Sequence, residues 1–89
     1  MSQQQLSAIQ QRVIELAAEQ GGVHPSQVAR DTHFVNDLNF DSLDLVELTM
    51  ALEDEFELSI SDAEAQELQT VGQAVDFIVR HVNAQSARS

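Results

Sequence analysis

Ser42 is the residue of this chain with the most suggestive chemical surroundings. It lies in the run Asp41-Ser42-Leu43-Asp44-Leu45-Val46-Glu47. Asp41 suits a helix N-cap, because its carboxylate can accept a backbone N–H that a helix start leaves unpaired. Asp44, three residues on, can reach back in a capping box. The spacing therefore predicts that Ser42 opens the first turn of a helix, at the positive end of the dipole, where a phosphate is favoured. Serine is also common at helix starts for reasons of capping alone, so the residues around it must decide whether it does chemistry.

Other chemistries fit less well. A nucleophilic serine needs a base and an oxyanion hole. The histidines, His24, His33 and His81, are isolated from one another in the chain, and there is no Gly-x-Ser-x-Gly elbow. Catalysis by the chain itself is not expected. Cysteine is absent, which excludes disulfides, thiol nucleophiles and thiolate metal sites. Asp37-x-Asn39-x-Asp41 imitates the start of a calcium loop, but position six would be Ser42 rather than glycine and position twelve Leu48 rather than glutamate. Shifting the frame by one brings Glu47 to position twelve and puts Leu38 and Phe40 at ligand positions. No dedicated metal site is expected, and no Gly-rich phosphate loop is present.

The helix that positions Ser42 is predicted to run from Ser42 to about Phe56. Leu45, Leu48, Leu52 and Phe56 fall on one narrow face, which is the core face. Leu43, Val46 and Met50 make a second apolar stripe, framed by Asp44, Glu47 and Glu53, with Asp54 and Glu57 beyond. Either this helix is buried on two sides, or the stripe is an exposed docking surface with an acidic rim. Charge favours the second. Fifteen acids face four arginines and no lysine, for a formal net charge of −11. Twelve of the acids lie between Asp31 and Glu67, where there is no Lys or Arg. Such a segment repels nucleic acid and anionic lipid and attracts basic protein surfaces.

The remaining elements follow from periodicity and caps. A first helix is expected over about Gln3 to Gln20, with Leu6, Ile9, Val13, Leu16 and Ala17 inward and a packing role only. Gly21-Gly22 ends it. A long connection follows, with a short helical turn near His24 to Val28, and with Val28, Phe34, Val35 and Leu38 pinning it to the core. Leu58 and Ile60 continue the core. Ser61 to Glu64 reads as a capping box opening a short helix to about Leu68, and Thr70 to Gln73 as another opening a last helix to about Asn83. The tail from Ala84 to Ser89 is expected to fray. The expected fold is all-α, a small four-helix bundle of three principal helices and one short one, with a long loop after the first, in a single domain over 1–89. No stretch suits a membrane span, and Met-Ser-Gln-Gln-Gln is not a signal peptide. A cytoplasmic protein is the expectation.

The run from Leu38 to Leu48, followed by Met50-Ala51-Leu52-Glu53-Asp54-Glu55-Phe56, resembles the acyl carrier proteins of fatty-acid and polyketide synthesis. The resemblance covers most of the chain. It implies a bundle of four helices and Ser42 as the attachment point of 4′-phosphopantetheine, moved from coenzyme A by a separate phosphopantetheinyl transferase. The thiol of that arm would carry acyl thioesters, which suits a chain without cysteine. The partners implied are the transferase and acyl-chain synthesis and transfer enzymes with basic docking patches. By position, their contacts map onto Asp41, Leu43, Asp44, Val46, Glu47, Met50, Glu53 and Asp54. An acyl slot is expected among Leu48, Leu52, Ile60, Ala65, Leu68 and Val71. A monomer is expected. Related readings are a carrier of aminoacyl or specialised secondary-metabolite units, and an unmodified acidic interaction domain. Asn39, Phe40 and Ser61 depart from the common pattern, where glycine, a smaller residue and proline are frequent. These departures bear on partner choice.

Overall fold

A computed structural model describes residues 3–87, with side chains through Val82. Among these residues the chain forms four α-helices: α1 (Gln3–Gly21), α2 (Ser42–Phe56), α3 (Asp62–Gln66) and α4 (Val71–Ala87). One turn of 3₁₀ helix, Pro25–Gln27, lies in the first connection. α1 packs against both α2 and α4. The core between them is aliphatic apart from Phe34, Phe40 and Phe77, and its most deeply buried members include Val13, Ala17, Phe34, Leu52, Val71, Val75 and Ile78. The all-α bundle with a long first loop is the fold expected.

Local chemistry starts and stops the helices. Asp41, Ser61 and Thr70 each accept the N–H three residues on, and Asp44, Glu64 and Gln73 each accept the N–H of the capping residue in return. The three capping boxes read from the sequence all form. α1 ends at Gly22, with φ of 69°. α2 ends at Glu57, whose φ of 53° is the left-handed conformation usually left to glycine. Two ends differ from expectation. α3 stops at Gln66 and closes through a turn to Leu68. α4 continues past Asn83 to Ala87, because nothing from Ala84 to Ala87 breaks a helix. Of the tail expected to fray, 84–87 is therefore helical, and 88–89 lie outside the described residues.

The long connection is ordered by pairing with a distant segment. Phe34 N–H donates to Gln69 O at 2.9 Å, Val71 N–H to Thr32 O at 3.0 Å, and Gly72 N–H to Arg30 O at 2.8 Å. Arg30 adds hydrogen bonds to Gln10 and to the Asp76 carboxylate, joining the loop to α1 and α4. His33 organises the turn that follows: its N–H donates to Asp37 Oδ2 at 2.7 Å, and its Nδ1 accepts from Val35 N–H and Asn36 N–H. Val28 and Phe34 face the core and Leu38 is half-buried, but Val35, expected inward, is exposed. Phe40 is buried and stacks on Phe34, ring centroids 5.5 Å apart.

Asn39 sits between Phe40 and this turn with φ of 59°. Asparagine tolerates that conformation and a β-branched residue does not. Asn39→Val is expected to lose about 1–2 kcal/mol of stability, and Asn39→Gly to stay near the native value. Urea denaturation of the two variants checks this.

Candidate functional site

Ser42 is exposed at the first position of α2. Asp41 Oδ1 accepts from Asp44 N–H at 2.9 Å, and Asp44 Oδ2 accepts from Asp41 N–H at 3.1 Å. The first backbone hydrogen bond of the helix runs from Leu45 N–H to Asp41 O. The N–H groups of Ser42 and Leu43 therefore precede the helical ladder, beside the hydroxyl, where a phosphate would meet them. None of the capping bonds uses the Ser42 hydroxyl. The position fits a phosphodiester carried outward from the helix start.

The second apolar stripe of α2 is free of the core. Leu43, Val46 and Met50 are 64%, 54% and 58% exposed. Burial on two sides is thereby excluded. The stripe divides two unlike flanks. On the α1 flank lie Asp44 and Glu47, both bonded to the Gln20 side chain. On the α3 flank a groove of about 420 Å³ opens at Ser42 and is lined by Leu45, Val46, Thr49, Met50, Ile60 and Ala65, with Glu53, Asp62 and Gln66 at its polar margins.

The groove shares part of its lining with the expected slot. Ile60 and Ala65 line it, but Leu48, Leu52 and Val71 are sealed in the core. Their places are taken by Leu45 and Thr49, which sit at the edge of the core face. Leu68 lines a neighbouring depression with His33, Val35, Leu45 and Ala65. Of the acids at the stripe, Asp54 is exposed, whereas Glu53 is half-buried and its Oε2 accepts from Ile60 N–H at 2.8 Å. Asp37, the first residue of the calcium-loop imitation, accepts from His33 N–H through its Oδ2. No group of three His, Asp or Glu side chains is arranged to hold a metal among the described residues.

Two carboxyls are held below the usual range. For Asp44 the Asp41 backbone N–H is the main cause, with the Gln20 amide next. For Glu64 it is the Ser61 backbone N–H, then the Ser61 hydroxyl. A depressed folded-state pKa stabilises the fold above the ordinary carboxylate range, and that stabilisation is lost as pH falls through the lowered value. Asp44→Ala is therefore expected to cost most stability near neutrality and progressively less on acidification. Denaturation midpoints of native chain and variant along a pH series check the sign.

A family model for the phosphopantetheine attachment site matches residues 11–78, which takes in most of α1, all of α2 and α3, and the first half of α4. Ser42, the groove and the exposed stripe all lie inside the match.

Proposed function

The chain belongs to the phosphopantetheine-attachment-site family, and on that premise we propose that Ser42 bears the arm. Membership makes the protein a phosphopantetheine carrier with the arm covalently attached. The observation that carries the assignment to Ser42 is its placement: an exposed hydroxyl in the first turn of α2, outside the capping bonds, beside backbone donors that precede the helical ladder. The arm supplies the thiol that this chain lacks and holds cargo as a thioester. The chain presents the hydroxyl to a transferase, keeps the phosphodiester at the helix N-terminus, and offers its surface to the enzymes that act on the cargo. Asp41 and Asp44, as nearby like charges, direct the root of the arm away from the surface.

In this reading the domain over 1–89 is a monomeric cytoplasmic carrier with no catalysis of its own, serving fatty-acid or polyketide-type synthesis. The transferase and synthesis enzymes dock basic patches on Leu43, Val46 and Met50 with Asp41, Asp44, Glu47 and Asp54 as the rim. Glu53, held by Ile60, contributes to the rim mainly through its charge. The described helices include none long and apolar enough to cross a membrane. The polar margin of the groove, Thr49, Glu53, Asp62 and Gln66, favours a second reading of the cargo, as a short aminoacyl or oxygenated unit of a specialised pathway.

The test is intact mass after incubation with coenzyme A, magnesium and a broad-specificity phosphopantetheinyl transferase. A gain of one phosphopantetheine is expected. No gain, with a known carrier modified in parallel, would overturn the reading in favour of an unmodified acidic interaction domain. The docking surface has its own test. Glu47→Lys is expected to lower the transferase kcat/KM by about tenfold at low salt, since it sets like charges together. The loss should shrink as ionic strength rises, because the Debye length falls to about 10 Å at 0.1 M.

A further inference from the structure

α1 was expected to serve only packing, yet one of its polar side chains reaches the acidic flank of α2. Gln20, half-buried in the last turn of α1, directs its Nε2 to Asp44 Oδ1 at 3.1 Å and to Glu47 Oε1 at 3.0 Å. We propose that Gln20 is a positioning residue for partner recognition, holding the Asp44 and Glu47 carboxylates as a fixed pair for one guanidinium or ammonium group of a docking enzyme. The proposal rests on the carrier reading above and extends it to a residue outside α2.

The chemistry of the amide suits this work. Asp44 and Glu47 are like charges one turn apart, and such pairs repel. An NH₂ group has two hydrogens, so a single nitrogen can bond both carboxylates. The opposite amide orientation would crowd a third oxygen against them. A lysine or arginine in the same place would also bridge the pair, but it would cancel the charge that a basic partner reads. Glutamine relieves the repulsion and leaves both charges.

Asp44 is the fixed member of the pair. Its Oδ2 accepts from Asp41 N–H while its Oδ1 accepts from Gln20. Glu47 has the longer and freer side chain, and through Gln20 it is tied to that anchor. Ordering a long side chain before an encounter removes a cost that binding would otherwise carry. The two acceptor oxygens lie 3.1 and 3.0 Å from the shared nitrogen, and the planar fork of a guanidinium suits bonding to two such neighbouring oxygens. The lowered pKa of Asp44, to which the Gln20 amide contributes, agrees with that geometry.

The experiment compares native chain, Gln20→Ala and Gln20→Glu by two measurements. Carboxyl NMR titration should show the Asp44 pKa rising in Gln20→Ala. Transfer of phosphopantetheine at low salt should show KM raised about two- to tenfold with kcat retained, as expected for loss of one pre-ordered side chain. Gln20→Glu should raise the Asp44 pKa further, since a third carboxylate repels the pair instead of bridging it. An unmoved Asp44 titration, an unchanged KM, or a fall in kcat alone would overturn the positioning role. A native chain that takes no phosphopantetheine would sink the carrier reading and this proposal together. A modified native chain with unaltered KM in Gln20→Ala would sink this proposal alone.

Discussion

Ser42→Ala is expected to take up no phosphopantetheine under conditions that load the native chain, and to keep stability within about 0.5 kcal/mol of it. The second half of that expectation gives the first its meaning. The caps at the start of α2 are made by Asp41 and Asp44, and alanine is at home in a helix first turn. Loss of modification would then reflect loss of the hydroxyl and not loss of the fold. Two other serines provide contrast. Ser61 also begins a helix, but its Oγ accepts from Glu64 N–H at 3.1 Å. Ser26 Oγ lies 2.9 Å from His24 Nδ1. Ser61→Ala is thus expected to lose a cap, about 0.5–2 kcal/mol, and still be loaded. Intact mass and urea denaturation of both variants check the pair. Modification that survived Ser42→Ala would move the attachment point elsewhere.

What could be read from the residues, and what could not, divides by range. The three capping boxes were legible because each is a contact between residues three apart, set by side-chain type. Asn39 stands where the resembled family often has glycine, and its left-handed conformation is one that asparagine tolerates. The exposed stripe Leu43, Val46 and Met50 was legible because it opposes a face already claimed by the core. By contrast, the pairing of Arg30, Thr32 and Phe34 with residues 69–72 joins segments far apart in sequence, and no local pattern encodes it. Val35 and Phe34 look alike in a loop without periodicity, and only that pairing decides which turns inward. Glu57 takes a left-handed conformation that its residue type does not announce. Leu45 and Leu48 share a predicted core face, yet Leu45 borders the groove because α3 covers only part of that edge. Gln20 gave no signal at all, being one polar residue at a helix end. A search for amide side chains near the predicted docking face could have found it once α1 was placed.

The same division identifies the side chain on which the loop depends most. Phe34→Ala is expected to remove about 3–5 kcal/mol, the usual cost of emptying a buried aromatic site. Phe34 is 1% exposed and stacks on Phe40. Its own N–H donates to Gln69 O and its O accepts from Phe40 N–H. The side chain therefore anchors both the tight turn before Ser42 and the pairing with the segment before α4. A small domain has about 0.05–0.15 kcal/mol of stability per residue, so this loss is a large share of the whole. Midpoint temperatures should fall by about 4–8 °C per kcal/mol. Val35→Ala next to it is the control: Val35 is 46% exposed, and a change within about 0.5 kcal/mol is expected. Added salt should recover part of the loss in Phe34→Ala, because screening relieves the self-repulsion of a chain of charge −11. Equal destabilisation by the two substitutions would show that the loop is not anchored through Phe34. It would also leave the approach of the chain to Ser42 to be held by the backbone pairing alone.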